Sequence, residues 1–169
     1  MTATLHGRRQ AAALMVLGAL ALAPGAGAQT PASDKPFDFT ACWSGVSNVI
    51  AFSRTHRASS YEMVGTLHSH LPDSIFDKNT IRCVGMSAVF DGKTTSSTTC
   101  EAIDRDGDKR LAHYATGSDG KLSREIVAGT GKFEGMRVTT TVLPLGPFPS
   151  IKPGAIQDCS RQTGSYRLK

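Results

Sequence analysis

From Cys42 onward, apolar and polar residues alternate in short runs that are separated by turn residues. In the segments Tyr61–His68 and Val84–Phe90, every second residue is apolar or glycine. A period of two is typical of β-strands, and no stretch of ten or more residues shows a sustained helical period of 3.6. Eight runs span residues 41–52, 61–68, 84–90, 93–103, 108–116, 121–128, 133–143 and 155–168. The chain is therefore predicted to be all-β, and about eight strands at meander spacing fit a closed barrel or a sandwich.

The four cysteines favour the barrel. Cys83 and Cys100 stand eight residues either side of Asp91-Gly92, a dipeptide that favours a two-residue hairpin turn because both positions need φ > 0. Such a hairpin sets the two cysteines opposite each other, within disulfide reach. Cys42 then pairs with Cys159, which makes the first and last strands neighbours. We expect a single antiparallel β-barrel in meander order with two disulfides.

The first 28 residues have the features of an export signal. Arg8 and Arg9 precede the apolar run Ala11–Leu22, and Ala26-Gly27-Ala28 offers a cleavage site. The apolar run is shorter than the about 20 residues of a membrane span, so no span is predicted in the mature chain. The predicted organisation is a signal peptide at 1–28, a flexible mature N-terminus at 29–40 and the barrel domain at 41–169. The protein is expected to be exported, either periplasmic or secreted.

Composition and charge limit the classes of partner that the protein is expected to bind. Removing 28 of the 169 residues leaves 141, and the formal charge falls from +5 to +3 because the leader holds two arginines and no acidic residue. No basic run or basic stripe with interleaved aromatic residues appears, so we predict no nucleic-acid partner. The sequence specifies no oligomeric state.

Two short motifs resemble metal sites but lack their full ligand sets. The segment Asp104–Asp108 resembles the start of a calcium loop without the later bidentate Glu or flanking helices, which favours an Asp- and Gly-rich turn. His68 and His70 share the predicted polar face of one strand, with no third ligand identified. No metal and no cofactor are predicted.

Strand register carries the one specific site hypothesis. A four-residue turn at Gly117–Gly120 pairs Thr116 with Lys121, which sets His113 opposite Arg124 between two apolar pairs. A three-residue loop at 105–107 places Glu101 on the same side as His113. That side also holds Val84, Met86 and Phe90, so we take it as the interior.

A three-residue turn at 129–131 places Met136 opposite Arg124, with Glu134 on the same side, and avoids opposing Arg137 to Arg124. The candidate cavity therefore contains Glu101, His113, Arg124, Glu134 and Met136. In the functional interpretation, Arg124 holds an anionic or carbonyl group while His113 and Glu101 are available for proton transfer. In the alternative interpretation, one register is shifted by a residue or the charged group is a structural network.

The segment Ala128–Arg137, Ala-Gly-Thr-Gly-Lys-Phe-Glu-Gly-Met-Arg, resembles the G-G-T-G-x-F-x-x-A-R-G segment of dirigent proteins and the related turn of allene oxide cyclases. Cys100-Glu101 followed by the segment Asp104–Lys109 is similar to small secreted bacterial proteins of unknown function. This resemblance covers Cys83 to Val138 and implies an eight-stranded antiparallel barrel with a central cavity. The plant families bind apolar or phenolic molecules there and guide cyclisation or radical coupling, but their catalytic residues do not match this chain position by position.

Three functions remain open at this point. The first is an exported barrel that binds a small, partly apolar ligand in its central cavity. The second is an enzyme of the cyclase or isomerase type that uses Glu101, His113 and Arg124. The third is a secreted interaction protein whose barrel is filled by side chains. The first two predict a cavity that is connected to solvent, whereas the third predicts a packed interior.

Overall fold

The computed structural model describes residues 33–146 and 148–169, which form one sheet of eight antiparallel strands. The prediction of an all-β fold with eight strands in meander order is confirmed, whereas the predicted signal peptide lies outside the described residues. Among the described residues, no helix has the length and hydropathy needed to cross a bilayer. The strands are β1 (Lys35–Ala51), β2 (His56–Ser69), β3 (Thr80–Phe90), β4 (Lys93–Ile103), β5 (Lys109–Thr116), β6 (Leu122–Gly129), β7 (Arg137–Pro144) and β8 (Ala155–Arg167).

The sheet curves into a nearly closed barrel. Its order is β6-β5-β4-β3-β2-β1-β8-β7, so the first strand pairs with the last, as the cysteine pattern predicted. Strands β6 and β7 are the two edges of this sheet and have no backbone ladder between them. A side chain crosses this seam instead, because Arg124 Nη1 on β6 donates a hydrogen bond to Thr140 Oγ1 on β7.

Both predicted disulfides are present. Asp91 and Gly92 have φ of 51° and 76°, as a type I′ turn requires, and Phe90 pairs with Lys93 across them. This register places Cys83 opposite Cys100 with a Cα–Cα distance of 4.1 Å. Cys42 and Cys159 are bonded at the same Cα–Cα distance and join β1 to β8.

The described N-terminal residues are more ordered than predicted. Strand β1 begins at Lys35 and pairs with β8 from that residue onward, so the prediction of a flexible segment is wrong for residues 35–40. Phe37 and Phe39 alternate along this stretch and are both buried. Because their rings fill one end of the barrel, burial of apolar area offsets the conformational entropy lost when this segment is ordered.

Aromatic side chains close that end of the barrel. Phe37 and Phe39 pack against Phe76, which the β2–β3 loop supplies, at ring-centre distances of 5.0 and 5.3 Å. Tyr166 on β8 and Phe76 form a T-shaped pair with their ring centres 5.2 Å apart. A 3-10 turn at Gly131–Phe133 inserts the fully buried Phe133 at the same end. Residues 133–136 therefore form a cover for the barrel end instead of the predicted start of β7.

The inward face of β3 and β4 is the reverse of the predicted one. Cys83 and Cys100 are only 4% and 6% exposed, whereas Val84, Met86 and Phe90 are 47 to 62% exposed. The hairpin itself is as predicted, so the pairing is right and the choice of face is wrong. Both faces of β3 carry apolar side chains, and strand alternation alone does not reveal which face is enclosed.

The β5–β6 turn is one residue shorter than predicted. The Gly120 N–H donates to the Gly117 carbonyl and the Gly117 N–H donates to the Lys121 carbonyl, at 2.9 and 3.2 Å. Gly120 has a φ of 76°, as the last position of a three-residue loop with a G1 bulge requires. Thr116 therefore pairs with Leu122, and the residues of β6 as far as Ile126 are shifted by one position. A β-bulge then shifts Ala128 and Gly129 by one position more.

Candidate functional site

Polar side chains meet in the middle of the barrel, between its closed aromatic end and its other end. Strand β5 turns Arg110 and Tyr114 inward, one on each side of the buried Ala112. Strand β6 places Arg124 opposite Tyr114, and β8 contributes Gln162. Because β-strand side chains alternate between faces, these inward positions follow from the observed register.

Arg110 is satisfied by its surroundings. Its side chain is 4% exposed, and Nη1 donates a hydrogen bond of 2.5 Å to Asn79 Oδ1. Its guanidinium carbon lies 4.8 Å from the ring centre of Phe76 and 5.3 Å from that of Phe133, within cation–π range. Burial, and then the charge of Arg124, lower the pKa of Arg110 to about 10. Arg110 therefore stays charged at neutral pH.

Arg124 is less completely satisfied. Nη1 bonds Thr140, and the guanidinium carbon lies 5.3 Å from the ring centre of Tyr114. Its Nε is buried and has no hydrogen-bond partner among the described residues. A buried donor without a partner costs about 1 to 3 kcal/mol, so this N–H is a place where a ligand atom would gain energy.

Gln162 contributes a hydrogen-bond acceptor where Arg124 contributes a donor. Gln162 is 6% exposed, and its Nε2 donates to Ser160 Oγ at 3.2 Å. Its Oε1 is buried without a partner among the described residues. Within the described part of the chain, Arg124 Nε is thus an unpartnered donor and Gln162 Oε1 an unpartnered acceptor, both on side chains that line the same small void of about 10 Å³.

A larger hollow lies next to this void and shares Tyr114 and Gln162 with it. Its volume is about 230 Å³. Its walls are mainly apolar and include the inner disulfide. The lining residues include Trp43, Met63, Cys83, Cys100, Leu122, Val142 and Asp158. Of the residues that line the two spaces, only Asp158 carries a carboxylate, whereas Arg110 and Arg124 carry positive charge.

The structure does not assemble the predicted cluster. Glu101 lies on the outer wall, where its Oε1 accepts from Lys109 Nζ at 2.8 Å. His113 is also on the outer face, with Nδ1 3.3 Å from Thr99 Oγ1, and it pairs with Glu125 instead of Arg124. The side chain of Glu134 is 71% exposed beyond the 3-10 turn.

Arg124 and Met136 are inside the barrel. Met136 is buried in the aromatic end and belongs to the hydrophobic core. The predicted pairing of Met136 with Arg124 is wrong, because β6 and β7 share no ladder. The prediction that Arg124 lies inside the barrel is right only because two errors cancel. The reversed face alone would turn Arg124 outward, and the register shift at the shorter β5–β6 turn brings it inward again. The same two changes do not cancel for Glu101 and His113, which precede that turn.

The calcium-like motif binds a lysine. Lys132 Nζ lies 2.5 Å from Asp104 Oδ2, contacts Asp106 Oδ2 and lies 3.6 Å from Asp108 Oδ2. Burial on its own would raise the pKa of Asp104, but hydrogen bonds from Lys132 and from two backbone N–H groups outweigh it and hold that pKa below 3.8. Hydrogen bonds to Asp104 and Asp106 in turn raise the pKa of Lys132. Among the described residues, no group of three or more His, Cys, Asp or Glu side chains is arranged to hold a metal ion.

Sequence reasoning missed Arg110, Asn79, Gln162 and Lys132. One signal was available, because Arg110 has the same strand parity as Tyr114 and Ala112. With the correct inward face, that parity would have placed Arg110 inside the barrel. No local pattern marks Asn79, because its charged partner Arg110 is 31 residues away, or Gln162, because its inward position depends on which face of the sheet is enclosed.

Comparison with known proteins adds no identity: no family model matches the chain, and no curated protein or solved structure matches it either. Function must therefore be inferred from the residues of the barrel interior. Chemically, these residues offer an apolar wall, hydrogen-bond groups without partners and an excess of positive charge.

Proposed function

We propose that this protein is an exported, disulfide-closed β-barrel that binds a small, partly apolar ligand in its interior. The observation that carries the proposal is the hollow of about 230 Å³ beside the unpartnered Arg124 Nε and Gln162 Oε1. Small-molecule sites combine a mainly apolar wall with a few convergent polar groups, and this interior has both.

Export has independent support from the sequence. The leader pattern of residues 1–28 and the presence of two disulfides both fit an oxidising compartment. Periplasmic and secreted locations are equally consistent with these features. The resemblance of the segment Ala128–Arg137 to dirigent proteins and allene oxide cyclases stays a prediction.

The enzyme alternative has less support. A general acid or base must lie within hydrogen-bond reach of the reacting group, and the two residues assigned to proton transfer, Glu101 and His113, are on the outer wall. The filled-barrel alternative is consistent with the aromatic end but not with the hollow that Trp43 and Met63 line. Binding therefore remains the function that the interior supports best.

The test is mass spectrometry of small molecules released on denaturation of protein purified from its native host. We expect one compound close to equimolar with the wild-type protein. Val142→Phe, which places a ring in the hollow, should lower its yield, whereas Val127→Phe on the outer side of β6 should not. Equal recovery from all three proteins, or no compound from the wild type, would refute binding in the interior.

A further inference from the structure

We propose that the ligand is a singly charged organic acid with a short apolar body, and that Arg124 receives its acid group. This inference rests on the proposed function and deepens it by naming the ligand class. It follows from the charge balance of the interior, from the geometry of the Arg124 guanidinium and from the size of the hollow.

The charge balance favours an anion. Arg110 and Arg124 bring two positive charges into the interior, and Asp158 supplies one negative charge among the residues that line the two spaces. The Asp158 carboxylate already accepts the Cys159 backbone N–H at 2.8 Å. A buried charge is costly unless it is paired and hydrogen-bonded. The buried carboxylate of Asp104 also acts on Arg110, so an added negative charge would serve Arg124 more than Arg110.

Of the two interior guanidinium groups, that of Arg124 is the one whose hydrogen-bonding groups are incompletely paired. Arg110 is hydrogen-bonded to Asn79 and enclosed by two aromatic rings, whereas Arg124 has a neutral hydroxyl on Nη1 and none on Nε. Hydrogen bonds between a guanidinium and a carboxylate are roughly twice as strong as neutral ones. An acid at Arg124 would therefore gain more than it would at Arg110.

The same chain shows how such a pair forms. On the outer wall, Arg161 binds Asp38 through the edge formed by Nε and Nη2, at 2.9 and 2.6 Å. Arg124 uses Nη1 for Thr140, so the edge that contains Nε is turned away from that contact. This edge is the one that a planar carboxylate binds in the Arg161 example.

The size and lining of the hollow limit the part of the ligand that follows its acid group. A volume of about 230 Å³ equals that of about eight waters at roughly 30 Å³ each, below the usual 300 to 1,000 Å³ of ligand pockets. The walls supplied by Met63, Leu122 and Val142 favour an apolar chain or ring. Asp158 at the hollow disfavours a second negative charge on the ligand by like-charge repulsion.

Ligand binding can be followed through the fluorescence of Trp43. It is the single tryptophan of the chain and lines the hollow, so its fluorescence reports on occupancy. We would titrate the full mature protein with octanoate and with octanamide, which has the same length and no charge, and repeat both titrations by calorimetry. We expect octanoate to bind at least about tenfold more tightly than octanamide, a difference of about 1.4 kcal/mol.

Variants identify the receiving residue. Arg124→Met should reduce the preference for octanoate to about onefold while octanamide still binds, and Arg137→Met, at an exposed arginine on β7, should keep the wild-type preference. Gln162→Leu should weaken the binding of octanamide, whose NH2 group can donate to Gln162 Oε1, and should leave octanoate binding unweakened, because an ionised carboxylate has no proton to donate to that oxygen. Near-UV circular dichroism checks that each variant is folded. If Arg124→Met does not fold, the ratio of octanoate to octanamide affinity in the wild type is the deciding measurement.

The outcomes separate the two proposals. Equal binding of octanoate and octanamide by the wild type would overturn the acid preference and leave interior binding intact. An unchanged preference in folded Arg124→Met would overturn the assignment to Arg124. Failure of both probes to change Trp43 fluorescence or release heat at millimolar concentration would overturn the ligand class, and recovery of a neutral native compound by mass spectrometry would then leave the proposed function standing.

Discussion

The Arg110 guanidinium donates a 2.5 Å hydrogen bond to Asn79 Oδ1 inside the barrel, and neither side chain has more than 4% of its surface exposed. Asn79 is held in turn, because its Nδ2 donates to the carbonyls of Ile75 and Asp77 at 3.1 and 3.2 Å. The pair therefore ties the β2–β3 loop to β5. It also satisfies the more deeply buried of the two interior charges.

Asn79→Ala should lower the free energy of unfolding by about 3 kcal/mol, because a buried charge loses its hydrogen-bond acceptor. The measurement is urea unfolding at neutral pH followed by circular dichroism. Asn48→Ala, at an exposed position of β1, should change the same quantity by less than about 0.5 kcal/mol. A loss below about 1 kcal/mol for Asn79→Ala would contradict the role given to this pair.

The stability of the fold should depend on acid pH through Asp104. Its pKa in the folded protein is below 3.8, so the unfolded chain binds the proton more readily. The stability that this carboxylate contributes is complete above pH 3.8 and is lost as pH falls through the lower folded-state value. We expect the difference in urea midpoint between wild type and Asp104→Asn to shrink steadily as pH falls from 5 towards 2.

Asp73→Asn, at an exposed position of the β2–β3 loop, is the matched control for that series. Its urea midpoint should follow the wild type across the pH range. If the difference between wild type and Asp104→Asn stayed constant down to pH 2, the contact with Lys132 would not stabilise the ionised carboxylate.

The two disulfides should differ in their resistance to reduction. Cys83–Cys100 faces the interior, whereas Cys42 is exposed on the outer wall of β1. Thiol–disulfide exchange requires access to a sulfur atom, so a mild reductant under native conditions should open Cys42–Cys159 first. Alkylation followed by peptide mass mapping at successive times would measure the order, and simultaneous opening would indicate that native reduction proceeds through global unfolding.

Loss of the Cys42–Cys159 bond should also have a large effect on stability. It closes a loop of 117 residues, against 17 for Cys83–Cys100. The chain-entropy model assigns about 5 kcal/mol to the longer loop and about 3 kcal/mol to the shorter one. Urea unfolding of Cys42→Ala/Cys159→Ala tests the larger value, and a loss under about 1 kcal/mol would show that closure of the β1–β8 pair does not depend on this bond.

Glu101 and His113 should be dispensable for binding. Both lie on the outer wall, and Glu101 is paired with the partly exposed Lys109. Surface substitutions of this kind usually change the free energy of unfolding by no more than about 0.5 kcal/mol. Glu101→Gln and His113→Ala should therefore bind octanoate with wild-type affinity in the Trp43 assay, and a tenfold loss in either would return these residues to the ligand site.

The turns show where sequence reasoning was sufficient and where it was not. Asp91-Gly92 and the Arg105–Gly107 loop have one favoured geometry each, and both were predicted correctly. Gly117–Gly120 has a glycine at each end, which is compatible with loops of three or four residues, and the shorter loop forms. A difference of one residue moves Arg124 from facing His113 to facing Tyr114.

The candidate site was predicted only in part for the same reason. Arg124 was placed inside correctly, but through two compensating errors, while Glu101, His113 and Glu134 were assigned to an interior that they do not reach. The inward face could not be read from β3, because apolar residues occupy both of its faces. The two faces differ in their environment, because one faces the barrel interior and the other faces solvent. Which is which depends on how the sheet curves.

By itself, the sequence determined the strands, most of the turns, the disulfide pairing and the closure of β1 on β8. Alternation, turn residues and cysteine spacing act over short stretches of chain or through simple counting. Only the tertiary structure decided which face is enclosed and which polar groups meet there. The pairs Arg110–Asn79, Lys132–Asp104 and Arg124–Thr140 join positions 31, 28 and 16 residues apart, so they form only once register and curvature are set.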